Sequence, residues 1–146
     1  MDYFNYHEGR LFAEGVDAAT IARETGTPVY IYSKGTVLLH IERLREAFAE
    51  LDPLICYSVK ANSNLEILKI CAAAGTGFDI VSGGELYRAL RAGADPEKIV
   101  YAGVGKTRKE IQYALGEGIL MFNVESEPEL AAIDAMCHRL RLLLEG

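Results

Sequence analysis

Four short apolar runs recur along the chain, at 54–59, 77–81, 99–104 and 119–124, and each is followed by a segment of helical periodicity. Their starts lie 20 to 23 residues apart, the length of one strand, one helix and two short connections. The runs are continuous rather than alternating, as expected of strands in a sheet that helices cover. Such a series predicts parallel strands joined by right-handed crossovers, all within an α/β fold. Helix signals agree with the rhythm. The pattern Leu65, Leu68, Ile70, Cys71 stops at Gly75, and a second helix runs from about Gly84 to Gly93. Thr107 with Glu110, and Ser126 with Glu129, have capping-box spacing, and Pro128 stands in a first turn where its missing N–H costs nothing. A stripe at Leu130, Ile133, Cys137, Leu140 and Leu144 is expected to turn the last helix toward the sheet.

Residues 1–53 do not share this rhythm. Asp17 is placed to cap a short helix over 18–25 that Gly26 ends. Pro28 opens a β-rich run, Val29-Tyr30-Ile31-Tyr32. A helix over about 36–50 then carries Val37, Ile41, Leu44 and Phe48 on one side, and Asp52-Pro53 closes it.

Composition narrows the function classes. Half of the 146 residues are hydrophobic and a quarter charged, a globular balance with enough apolar residues for a core. A net charge of -6 argues against a nucleic-acid partner. Cys56, Cys71 and Cys137 form no CxxC pair and sit among apolar neighbours, so they read as buried reduced thiols. His7, His40 and His138 form no cluster in the sequence, which leaves a metal site without support. The N-terminus shows no basic segment followed by an apolar run, and no stretch reaches the roughly 20 apolar residues of a membrane helix. The expectation is a cytoplasmic protein with no membrane partner.

In parallel α/β folds the reactive groups gather where strands end and βα loops begin. That rule selects Lys60, Asp79 with Ser82, Gly103 to Lys106, and Asn123 to Ser126. Lys60 closes the first apolar run. A lysine there can be partly desolvated, with a lowered pKa and a nucleophilic neutral amine able to form a Schiff base. Position alone favours the plainer reading, a lysine snorkelling from the rim into water. Asp79, an acid inside an apolar strand, could tune a bound cofactor or simply hydrogen-bond loop amides near Ser82 and Gly83-Gly84. Gly105-Lys106-Thr107 has the ending of a phosphate loop but lacks its upstream glycine.

The residues around these positions carry a resemblance. Tyr57-Ser-Val-Lys60-Ala-Asn62 resembles the YxxKAN strand of the fold-type III decarboxylases that use pyridoxal 5'-phosphate (PLP), in which that lysine carries the cofactor. Gly77-Phe-Asp-Ile-Val-Ser-Gly-Gly-Glu-Leu86 is similar to their second-strand motif, whose aspartate and serine lie in the cofactor pocket. Ala102-Gly-Val-Gly-Lys-Thr107 and Phe122-Asn-Val-Glu-Ser126 are similar to the next two strand ends. The resemblance implies a partial (β/α)8 TIM-type barrel of about four βα units at 36–146. It implies that residues 1–35 contact a C-terminal β domain. Lys60 would be the catalytic, cofactor-anchoring residue, with Asp79 and Ser82 as cofactor contacts. Lys60-Ala-Asn62 and the Gly-Lys-Thr ending lean toward members that decarboxylate meso-diaminopimelate to lysine. Members acting on ornithine or arginine, and a non-catalytic half-barrel that binds PLP or a partner, are the alternatives. A racemase is disfavoured, because its motif continues Lys-Ala-Asp.

The family works as homodimers on small amino-acid substrates. Its glutamate for the pyridine nitrogen, its GGGxG-type phosphate loop, its stacking histidine and its partner-lent CESxD-type segment have no counterpart in these 146 residues. The chain is therefore expected to be the N-terminal half of such an enzyme and inactive alone. Its half-barrel should have open edges at the first and fourth strands, with Ile55, Phe78, Ile80 and Met121 pointing inward.

Overall fold

The computed structural model describes residues 2–144, with side chains described through His138. Two compact units result, Met1–Leu51 and Asp52–Gly146.

The first unit begins with a feature absent from the sequence expectations, an antiparallel sheet of β1 (Phe4–His7), β2 (Arg10–Ala13) and β3 (Val16–Asp17). Two-residue Glu-Gly turns build it. Glu8 and Gly9 both have positive φ, 50° and 74°, the backbone of the tight hairpin turn whose twist matches the strands. Helix α1 (Ala18–Thr25) follows as expected, with Asp17 accepting from the Ala19 N–H and Gly26 as its C-cap. The Arg10 guanidinium beside Asp17 holds that carboxyl below its usual range. Helix α2 spans Lys34–Ala47 and starts earlier than expected, because the Ser33 hydroxyl accepts from the Thr36 N–H and takes the capping role. Of its expected apolar stripe only Ile41 is buried; Leu44 and Phe48 are exposed. Val29–Tyr32 is not a strand. A β-rich sequence needs a neighbouring strand to satisfy its backbone, none of the described residues supplies one, and Tyr30 is 87% exposed.

The second unit is the expected α/β repeat. Strands β4 (Cys56–Ser58), β5 (Gly77–Ile80), β6 (Ile99–Tyr101) and β7 (Met121–Phe122) form one parallel sheet in chain order. Helices α3 (Leu65–Ala73), α4 (Gly83–Arg91), α5 (Arg108–Glu117) and α6 (Glu127–Leu144) alternate with them. Each strand is shorter than its apolar run: the last residues of each run turn into the βα loop, and β4 and β7 also start two residues into theirs. With strands in sequential order, right-handed crossovers put every helix on the same face. The burial pattern agrees. Phe78, Ile80, Ile99 and Tyr101 share one face through the pairs Phe78↔Ile99 and Ile80↔Tyr101, and all four are fully buried. They form the core with Val59, Leu68, Cys71, Leu86 and Ile111.

The opposite face carries Cys56, Ser58, Gly77, Asp79, Val100 and Met121 by the same registers. Met121 on it is 49% exposed. This reverses one expectation: Phe78 and Ile80 point to the helices, and the polar Ser58 and Asp79 take the uncovered side. The apolar sequence of β5 did not reveal which of its two faces the helices would take. Gly77 permits the close β4–β5 packing. A Cβ there would press on the Lys98 carbonyl oxygen and lie 2.8 Å from Cys56 Sγ.

Strands β4 and β7 are the edges of the sheet among the described residues, as expected. The stripe on α6 is met only at Ile133, which is 8% exposed, while Leu130 and Cys137 are exposed. Leu140 and Leu144 lie outside the described side chains. Helix α6 packs on α5, and β7, two residues long and at the edge, offers little sheet for a full stripe to cover. Cys137 is thus not the buried thiol its neighbours suggested; Cys71 is fully buried and Cys56 partly so.

Candidate functional site

The C-terminal rim of the parallel sheet brings the sequence-selected residues together. Ser58 and Asp79 are register partners in β4 and β5, and the Ser58 hydroxyl donates to Asp79 Oδ2 at 3.0 Å. This pairing fixes the carboxylate on the uncovered face of the sheet. Val59, Lys60 and Ala61 form a single 3-10 turn after β4. Val59 is fully buried and anchors the turn, whereas Lys60 is exposed. Its exposure agrees with the plainer position-based reading, a lysine reaching from the rim into water. The strand stops at Ser58, and the turn carries the lysine out beyond the packed layer. The Tyr57 hydroxyl donates to the Asn62 carbonyl at 3.2 Å and so closes the loop that bears the lysine.

Ser82 is the N-cap of α4; its hydroxyl oxygen accepts from the Glu85 N–H at 3.2 Å. Capping uses a lone pair and leaves the O–H free to donate toward the rim. Glu85 turns back to accept from the Val81 N–H at 2.8 Å. The loop between β5 and α4 is thus held by side chains at both ends. Asp79 and Ser82 leave the same strand, so the rim offers an amine, a carboxylate braced by a hydroxyl, and a second hydroxyl beside an uncovered sheet face. That donor set fits a carbonyl-bearing, cationic-ring cofactor. It contains no dedicated phosphate-binding loop among the described residues.

Two further loops meet the same rim. Lys106, which sequence position selected without assigning it a role, has a fully buried side chain. Its ammonium donates to the carbonyls of Gly103 (2.7 Å) and Asn123 (2.8 Å) and to Glu129 Oε1 (2.6 Å). The nitrogen also lies 5.6 Å from the ring centre of Tyr101, which stacks on Phe122. Gly103 to Lys106 is therefore a structural loop with an inward lysine. Glu110 closes the capping box with Thr107 and also accepts from the Gly83 N–H at 2.9 Å. That backbone hydrogen bond, with those from the Thr107 hydroxyl and amide, pulls the Glu110 carboxyl down to about 2. Burial, with Glu110, Glu85 and Glu129 around it, pushes the Tyr101 phenol up. The capping-box spacing located Glu110 in the sequence, but its reach to a neighbouring loop has no sequence signal.

Comparison with known proteins assigns this architecture. The domain described as "Pyridoxal-dependent decarboxylase, pyridoxal binding domain" matches residues 34–145. Diaminopimelate decarboxylase of Vibrio cholerae is 51% identical over 141 residues, covering 96% of this chain and 34% of that protein. The Aquifex aeolicus diaminopimelate decarboxylase is 50% identical over 138 residues, covering 94% and 32%. Among solved structures, diaminopimelate decarboxylase of M. jannaschii in complex with L-lysine superposes with a TM-score of 0.91 at 36% identity, over 96% of this chain and 34% of that one. The four-stranded sheet with its outer helices is thus part of a TIM-type barrel, and the chain spans about a third of the length of the curated relatives it matches. From the rim that gathers Lys60, Asp79 and Ser82 to the domain match over most of its length, the chain belongs to the pyridoxal-dependent decarboxylases, as a part of their pyridoxal-binding domain.

Proposed function

We propose that this chain is the N-terminal part of a diaminopimelate decarboxylase that holds PLP at Lys60 and converts meso-diaminopimelate to lysine. The observation that carries the proposal is the joint placement of Lys60 and the Ser58–Asp79 pair on adjacent strand ends. The relatives' names support the substrate. The match to the viral arginine decarboxylase from Paramecium bursaria Chlorella virus is weaker, with a TM-score of 0.57 at 26% identity over 68% of the chain. That contrast favours diaminopimelate over arginine.

In this reading Lys60 supplies the amine that attaches the cofactor. Its exposure on a one-turn helix leaves the nitrogen accessible to an incoming carbonyl. Asp79, fixed by Ser58, supplies negative charge next to that site, and Ser82 supplies a hydroxyl donor. When bound, PLP supplies the electron sink for the pair left by the departing carboxylate. The chain's own contribution is orientation, since both strand ends are set by sheet register rather than by flexible loops. The phosphate contacts and the acid for the ring nitrogen would come from the parts of the protein that the longer relatives have beyond this match. A homodimer in the cytoplasm belongs to the same proposal.

Borohydride reduction of the PLP-loaded protein, followed by peptide mapping, tests it. The expected label is on Lys60, and in the full-length protein Lys60→Ala should abolish both label and turnover. Label on a different lysine would refute the assignment.

A further inference from the structure

Lys106 and Glu110 stand four residues apart around the start of α5, and their hydrogen bonds reach three different βα connections. We propose that they are positioning residues for the cofactor site, fastening the β5–α4, β6–α5 and β7–α6 loops into one rigid rim. The inference rests on the reading of the rim as the PLP site. The chain of contacts is continuous. Gly83, the first residue of α4 where the first loop ends, donates to Glu110, and Glu110 accepts twice from Thr107 in the second loop. Lys106, bonded covalently to Thr107, donates to Asn123 of the third loop and to Glu129 in the first turn of α6. An ammonium has three N–H groups, and all three have acceptors here at 2.6–2.8 Å.

This arrangement is poorly explained by stability alone. Side-chain exposure is 0% for Lys106 and 9% for Glu129. A buried ion pair often does no better for stability than apolar residues of similar volume, because both charges must leave water. Its particular capacity is directional. Two of the three bonds from Lys106 go to backbone carbonyls, so they fix where the β6–α5 loop sits against the end of β7. Gly83 is fitted to the same contact: a Cβ on it would lie 3.0 Å from Glu110 Cγ. Ser82, one of the proposed cofactor contacts, directly precedes the residue that Glu110 holds. Displacement of the rim should therefore be read at the cofactor.

The test uses the full-length protein, in four forms: wild type, Lys106→Met, Lys106→Met/Glu129→Leu, and Glu110→Gln. Unfolding of the cofactor-free proteins measures the fold, and titration with PLP followed by absorbance measures the site. Lys106→Met should lower stability, because it leaves Glu129 buried without its cation. The double variant should recover that stability yet bind PLP roughly tenfold or more weakly, in line with the large effects of about 1 Å misplacements in sites. Glu110→Gln keeps one oxygen for Gly83 and reads the same rim independently; its PLP dissociation constant should also rise. Wild-type affinity in the double variant, or in Glu110→Gln, would overturn the positioning role. Failure of the wild type itself to take up PLP at Lys60 would instead overturn the function proposed above.

Discussion

Glu110 offers a quantitative check on the rim, through pH. Its carboxylate accepts from the Gly83 N–H at 2.9 Å, the Thr107 N–H at 3.0 Å and the Thr107 hydroxyl at 2.7 Å, which brings its pKa from 4.5 to about 2. Each unit is worth about 1.4 kcal/mol, so the full shift corresponds to about 3 kcal/mol at most. The side chain is only partly buried, and solvent screening reduces this to about 1–2 kcal/mol. Because the folded-state value lies below the unfolded one, the stabilisation is fully present above pH 4.5. It is lost as pH falls from there through about 2. Glu110→Gln removes the charge at every pH and keeps one acceptor oxygen. Urea unfolding of cofactor-free wild type and variant should show a gap of about 1–2 kcal/mol at pH 7, shrinking by more than half at pH 3. A gap that is equal at both pH values would show that the variant acts through shape, and that the carboxylate's hydrogen bonds are not what holds the two loops.

Two glycines make separate predictions, each measured by thermal or urea unfolding. Gly77→Ala forces a methyl against the Lys98 carbonyl oxygen and Cys56 Sγ; overpacking of this kind costs about 1–3 kcal/mol, and an unchanged midpoint would contradict the β4–β5 packing. Gly118 caps α5 at a φ of 71° with nothing near its would-be Cβ, so Gly118→Ala should cost about 1 kcal/mol from backbone conformation alone. Gly118→Asn should cost less, since asparagine tolerates the left-handed region.

Much of the second unit was legible in the sequence because local signals and periodicity agreed. The apolar runs located all four strands, the capping residues located the helix starts at Thr107 and Asp17, and strand-end logic placed Lys60, Asp79 and Ser82 on one rim. Those signals are local, and the physics behind them, backbone hydrogen bonding and the placement of apolar side chains, acts over a few residues. What needed the tertiary structure was every decision made by a distant neighbour. Which face of β5 is covered depended on the hand of the crossovers and on where α3, α4 and α5 packed, and Phe78 and Ile80 went to the helices while Asp79 went to the open side. Val29–Tyr32 had strand composition but, among the described residues, found no strand to pair with, whereas 4–17 formed a sheet through its Glu-Gly turns. Lys60 is carried into water by a single turn beyond β4, which its strand-end position alone did not specify. The Lys106 side chain is completely buried because carbonyls from two strand ends and a carboxylate from a later helix converge on it. A sequence states that a lysine stands in a loop; only the packing of the neighbouring loops determines whether its charge meets water or three fixed oxygens.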